Sequence, residues 1–234
     1  MEDPYTQVKA GLGGNPNGLR TTSTIMKSEI SNNKYESKAM IAINGSGFTS
    51  SQFDSYFKNY DSKWYNTAVI PYLLNNGKVI RDNTTNVPNQ GRHFLTYGIT
   101  KDNVLKVYDF ARGKNLSSNA DLAKKIKDED KVLYTYGFLP QLVKDGKVND
   151  NGTDSAIRNS MCQVDKNNFL VFSSGGSTTY KYQANMFVNH GCQTAVSLDG
   201  GGSRNLYYKL PNDSPKGVYV TSRDVADIVY FVEK

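Results

Sequence analysis

AVSLDGGGSRNLYY, residues 195–208, is the stretch around which the rest of the chain can be placed. Its first four residues, Ala195-Val196-Ser197-Leu198, form a short apolar run that reads as a buried strand. That strand carries Asp199 into three consecutive glycines, followed by Ser203 and Arg204. Glycines have no side chains to pack and lose more backbone entropy on ordering than any other residue. A glycine-rich connection between strands is the plainer reading. The sharper one is a close approach of backbone N–H groups to a ligand, beside a carboxylate held at the strand end. The preceding residues favour the sharper reading. Over Ser177–His190 the apolar Tyr180, Ala184, Phe187 and Val188 fall on one helix face, and Gly191 is placed to end that helix. Helix, glycine stop, buried strand and then Asp199 at the strand's carboxyl end is where α/β folds put ligand sites.

Further out, Ala39–Ile43 (AMIAI) is a continuous apolar run, read as a central strand that ends in Asn44-Gly45-Ser46-Gly47-Phe48. Asn75-Asn76-Gly77, Lys101-Asp102-Asn103 and Lys144-Asp145-Gly146-Lys147 each separate two strand-like runs and predict hairpins. Strands are also expected over Phe169–Ser173, Leu206–Leu210, Val218–Thr221 and Ala226–Val232. Helices are expected over Thr24–Ser31 and over Ser117–Lys127, the latter capped by Ser117 or Asn119. Asp54–Tyr65 is aromatic-rich and reads as packing rings or a sugar-stacking flap. The sum is an α+β fold, a single domain with a mixed twisted β-sheet, several hairpins and two or three helices. Residues 1–20 are polar and glycine-rich and read as an N-terminal arm or the cut edge of a longer chain; 21–234 form the domain.

Ala156–Val164 alternates as a strand. Arg158 then shares a face with the small residues Ala156, Ser160 and Cys162, which leave room around its guanidinium. A half-buried arginine needs either a carboxylate partner, for which Asp199 is the candidate, or an anionic ligand.

The 234 residues suffice for one good core, and 21% charged residues with 38% hydrophobic are ordinary for a globular domain. The net charge of +6 is scattered over turns rather than massed on a stripe, which argues against nucleic acid. No apolar run approaches the roughly 20 residues of a membrane span, and the start lacks the pattern of a signal peptide. The two cysteines, Cys162 and Cys192, form a disulfide if their strands are neighbours; two buried thiols are the expectation. With His93 and His190 they lack zinc-site spacing, so no cofactor is expected, although Asp199 with loop carbonyls leaves room for a single Ca²⁺ or Mg²⁺.

HGCQTAVSLDGGGS, residues 190–203, resembles the signature of the phosphodiester glycosidase family. Other elements follow the family in order from about Ile41 to the C-terminus. The strand into Asn44-Gly45 is similar to a family Asn-Gly-Gly-Phe-Phe element, with Ser46-Gly47 in place of Gly-Phe and one aromatic fewer. FLPQLVKDGKV resembles the family's strand before an Asp-Gly turn, Arg158 matches an arginine before the glycine-ended helix, and Arg223 matches one before the last strand. The resemblance implies hydrolysis at an anomeric carbon whose leaving group is a phosphodiester. It implies Asp199 at the anomeric centre, Arg158 on the phosphate, and Asn44 on substrate or holding Asp199. Gly45, Gly200, Gly201, Gly202 and Ser203 would contact substrate, with Arg204 and Arg223 as secondary phosphate contacts. Asp154 and Asp145 are the candidates for a second carboxylate. The expected partner is a phosphodiester-linked carbohydrate such as a teichoic acid, and the expected setting is extracellular, in a secreted or virion assembly. Two other readings stand beside this one: a non-catalytic glycan-binding module of a phage tail or cell surface, and a metal-dependent phosphodiesterase.

Overall fold

A computed structural model describes residues 1–14, 18–48, 69–87 and 95–234. The aromatic stretch 54–65 lies outside the described residues. Strands and helices are numbered below in chain order.

Two five-stranded sheets carry the architecture. The first runs β1 (Val8–Leu12), β17 (Asp227–Val232), β2 (Met40–Asn44), β15 (Leu206–Lys209) and β16 (Lys216–Tyr219). The second runs β11 (Lys147–Val148), β10 (Gln141–Lys144), β14 (Thr194–Leu198), β12 (Asn159–Gln163) and β13 (Phe169–Ser173). A smaller sheet, β7 (Leu105–Tyr108), β6 (Thr96–Ile99) and β9 (Thr135–Tyr136), packs against them. The hairpin β3 (Tyr72–Asn75)–β4 (Lys78–Asp82) and the pair β5 (Asn86–Val87)–β8 (Gly113–Lys114) complete the described strands. Helices are α1 (Pro4–Gln7), α2 (Thr22–Asn33), α3 (Ser117–Lys124) and α4 (Tyr180–Asn189). The α+β class read from the sequence holds; in detail, the described ladders are antiparallel and spread over two main sheets rather than one mixed sheet.

Side-chain alternation explains the layering. From β17, Val229 joins Ile43 of β2 and Val8 and Ala10 of β1 in a central core, where they meet Met161, Val196 and Leu198 of the second sheet. The opposite parity, Met40, Ala42, Ile228, Tyr230 and Val232, faces Ile25, Met26 and Ile30 of α2. On the far side, Leu142, Cys162 and Ala195 face Ala184 and Phe187 of α4. The inner strands β14 and β17 are therefore covered on both faces, which is why they read as nearly continuous apolar runs, whereas the edge strand β16 is largely exposed. Thr21 caps α2 by accepting the Thr24 amide at 3.3 Å, and Thr179 caps α4 by accepting the Tyr182 amide at 3.0 Å. Gly191, at φ +77°, lets the chain leave α4 and turn into β14.

Four local readings change. Residues 8–12, read as part of an arm, are the edge strand β1, aligned with β17 from Val8↔Phe231 to Leu12↔Asp227; Val8 and Ala10 alternate inward, a pattern the surrounding glycines obscured. The cap of α3 is Leu116, and Asn119 is instead buried as a loop clamp: its Oδ1 accepts the Ala111 amide at 2.9 Å and its Nδ2 donates to the Thr84 carbonyl at 3.1 Å. Cys162 and Cys192 are joined in a disulfide, not two thiols, because Cys192 sits in the turn between α4 and β14 beside the Cys162↔Ala195 pair, with Cα atoms 5.9 Å apart. Finally, the strand expected from Ala156 begins only at Asn159; Ala156 forms an isolated bridge with Thr178, so Arg158 precedes the ladder.

Candidate active site

The ends of β2, β12, β14, β15 and β17 converge on Asp199. Its amide donates to the Gly45 carbonyl at 2.9 Å, and its carbonyl accepts the side-chain amides of both Asn44 and Asn159, the latter at 3.1 Å. Asn44 is wholly buried; its Oδ1 also accepts Asn159 Nδ2 and, at 3.1 Å, the Asn205 amide. Asn205 extends the network: its Nδ2 donates to the Ser203 carbonyl at 3.2 Å, and its Oδ1 accepts the Thr221 amide at 2.8 Å. Asparagine suits these positions because one side chain both donates and accepts. These bonds fix the turn after β14 against the first sheet. The Asn44 side chain is thus spent on protein partners and holds Asp199 in place.

A second carboxylate lies on the other side of Gly45. Asp227, the first residue of β17, is fully buried, and its two oxygens accept the Ser46 amide at 2.6 Å and the Ser46 hydroxyl at 2.7 Å. A Cβ on Gly45 would stand 2.5 Å from Asp227 Oδ1, so only glycine fits between the two acids. Burial pushes the Asp199 carboxyl up to about 7, and the Asp227 charge adds to this; a Ser203 side-chain hydrogen bond, the Arg223 charge and the Gly200 N–H act against it. Burial likewise raises Asp227 to about 6, opposed by the two Ser46 donors and by Arg81. Burial in turn lowers the Arg81 guanidinium to about 10. Asp199 keeps some exposed surface whereas Asp227 has none, so Asp199 is the member that can meet a ligand.

The glycine loop is built for close approach, though mostly to the protein itself. A Cβ on Gly200 would lie 2.5 Å from the Ile157 carbonyl, and Gly201 adopts φ +56°. The Gly201 amide donates to Ile157 at 2.8 Å, and Gly201–Ser203 form a short 3-10 turn in which the Ser203 amide donates to Gly200 at 2.9 Å. The Gly200 N–H turns toward the Asp199 carboxyl. The expected cradle of four free amides is therefore largely consumed internally.

Arg223 lies beside Gly202 and Asp199, with its guanidinium 5.3 Å from the Phe48 ring centre. Arg158 stacks on Tyr180 at 3.7 Å, donates to its hydroxyl at 2.6 Å and to the Asp154 carbonyl at 3.1 Å, and its buried Nε has no partner among the described residues. No carboxylate pairs with Arg158 among the described residues. Arg204 donates to the carbonyls of Ser174 at 2.6 Å and Gly175 at 3.1 Å and lies over Tyr219 at 4.7 Å.

Neither sequence candidate for the second carboxylate is brought to Asp199. Asp145 is the hairpin turn between β10 and β11, at φ 51°, next to the opposite end of β14, and Asp154 is exposed. Asp227 went unread because it opens an apolar strand, DIVYFV. An acid in such a run was the available signal, since a carboxylate is almost never fully buried without partners.

The sequence profile of the phosphodiester glycosidase family matches residues 14–232. Among curated proteins no match is found. Among solved structures, the chain is similar to the catalytic domain of zebrafish N-acetylglucosamine-1-phosphodiester alpha-N-acetylglucosaminidase, auto-inhibited by its pro-peptide: 15% identity, TM-score 0.65, over 99% of this chain and 75% of that one. It is also similar to a hypothetical protein from Synechocystis at 12% identity and TM-score 0.55, covering 97% of this chain and 56% of that one. Likeness at such identities is a likeness of fold.

Proposed function

The chain belongs to the phosphodiester glycosidase family, and on that premise we propose that it hydrolyses the bond between a sugar's anomeric carbon and a phosphodiester oxygen, with Asp199 at the reacting centre. The observation that carries this reading is the carboxyl of Asp199, held near 7 by burial and by Asp227 and set beside Arg223. A group titrating there is ionised in about half the molecules at neutral pH, the condition for efficient proton transfer.

In this reading, ionised Asp199 takes a proton from a water that attacks the anomeric carbon. The C–O bond to the phosphate breaks, and its electron pair leaves with the phosphomonoester. That leaving group is anionic, so it calls for positive charge more than for a strong acid. Arg223 supplies such charge next to Asp199, and Arg158, with no carboxylate partner and an unpaired buried Nε among the described residues, is the second cation. Asp227 acts through its neighbour: locked by Ser46, its charge adds to the burial that raises the proton affinity of Asp199.

The test is to incubate the protein with a panel of sugar-1-phosphodiesters, N-acetylglucosamine-1-phosphate methyl diester among them, and to follow the products by NMR. Release of a reducing sugar and a phosphomonoester, lost in Asp199→Asn, is the expected result. Binding without turnover by any member would point instead to a glycan-binding module.

A further inference from the structure

Outside this site the fold leaves a hollow of about 480 Å³ between the start of α4 and the loop that precedes it, within the roughly 300–1,000 Å³ of ligand pockets. Its lining includes the hydroxyl-bearing Ser155, Ser177 and Thr178, with Phe172 and Tyr182 at its sides. Among the described residues no charged side chain lines it.

One feature of the backbone keeps the hollow open. Gly176, on the lining, has an ordinary backbone φ, and a Cβ there would meet nothing within 4 Å. Neither strain nor crowding requires glycine at that position. What it preserves is empty space and access to backbone.

The hollow adjoins the candidate active site. Ser174 accepts the Arg158 amide at 2.8 Å through its hydroxyl and the Arg204 guanidinium at 2.6 Å through its carbonyl, and the Gly201 amide is bound to Ile157, one residue before Arg158. A chain of direct contacts thus leads from the glycine loop to the hollow.

We propose that this hollow is a subsite for a neutral glycosyl unit, remote from the bond that is cleaved. Hydroxyls, backbone groups and two aromatic faces without charge suit a polyhydroxylated, uncharged ring and disfavour a phosphate. The assignment extends the glycosidase reading by one sugar unit, but its test is a binding measurement that does not depend on turnover.

Saturation-transfer NMR with chitotriose, maltotriose and cellotriose as probes, and with inorganic phosphate as the charge control, reads the site directly. Two variants act on it: Gly176→Val fills the space, and Tyr182→Ala removes a ring that is 61% exposed and whose loss leaves the core intact. Heteronuclear NMR spectra and melting curves check that both variants are folded. The expected result is saturable binding of at least one trisaccharide, weakened about tenfold or more in both folded variants and retained in Asp199→Asn. No saturable binding of any trisaccharide, binding in both folded variants as tight as in the parent, or displacement by inorganic phosphate would each overturn the proposal. Loss of turnover in Asp199→Asn with trisaccharide binding unchanged would support the catalytic reading separately, so the two ideas fail in different experiments.

Discussion

Asp199 and Asp227 are pinned to the same glycine from opposite sides: the Asp199 amide donates to the Gly45 carbonyl at 2.9 Å, while Asp227 Oδ1 occupies the space a Gly45 side chain would need. The acids belong to different sheets, β14's end and β17's start, and the Asp227 charge reaches Asp199 past a residue that has no side chain. The spacing of the pair is therefore a property of how the two sheets dock.

The first consequence is a pH–rate profile. If Asp199 works as an ionised base, kcat/KM rises about tenfold per pH unit below about 7 and levels off above it. Asp199→Asn should lower kcat/KM by about 10²–10⁴-fold and abolish this limb. A residual limb at the same pH in the variant would assign it to another group.

Stability should move in the opposite sense. The folded-state pKa of Asp199 is raised, so between about 4 and about 7 the folded protein holds a proton that the unfolded chain has released. The stability contribution is thus greatest below the unfolded pKa and is lost as pH rises through 7. Asp199→Asn removes the dependence: the variant should equal the parent near pH 4 and exceed it by about 2–4 kcal/mol at pH 8. Urea unfolding at both pH values reads the difference.

Asp227→Asn separates positioning from catalysis. The Asp227 charge raises the Asp199 carboxyl, so removing it should shift the acidic limb to below 7. The variant should also lose about 1–3 kcal/mol, because an amide cannot accept from both Ser46 donors. A merely structural role would lower the melting temperature and leave the limb where it was.

Asn44 illustrates what sequence could and could not convey. Its place at the end of an apolar strand was legible, and so was Asp199 at the end of β14, because both depend on local runs and turns. That their side chain and carbonyl meet across two sheets was not, since docking of the sheets is decided by long-range packing of Ile43, Val196, Leu198 and Val229. Asp227 was hidden for the same reason: its partners Ser46 and Arg81 are 181 and 146 positions away in the chain. The edge strand β1 is legible only once β17 is known to need a neighbour. Asn44→Ala should accordingly cost about 2–4 kcal/mol, leaving the buried Asn205 backbone amide unpaired and the Asp199 carbonyl with only the Asn159 side chain. Chemical denaturation measures this, and a loss of activity without loss of stability would instead indicate direct contact with substrate.

The disulfide makes the last prediction independent of the active site. Cys162 and Cys192 are 30 positions apart and close a loop that contains β13, α4 and the hollow at its N-terminus. Cross-linking a loop of that length removes unfolded-state entropy worth about 3–4 kcal/mol at 25 °C. For a chain of this size each kcal/mol corresponds to about 2–4 °C. Reduction, or the Cys162→Ala/Cys192→Ala double variant, should therefore lower the melting temperature by about 6–16 °C. The bond itself touches neither Asp199 nor Asp227, and both cysteines pack on Ala184 and Phe187 in the layer beneath α4. The reduced protein, assayed well below its new melting temperature, should retain kcat/KM within about twofold. A large loss of activity with an unchanged melting temperature would show that the bond tensions the Gly191–Asp199 segment and, through it, the site.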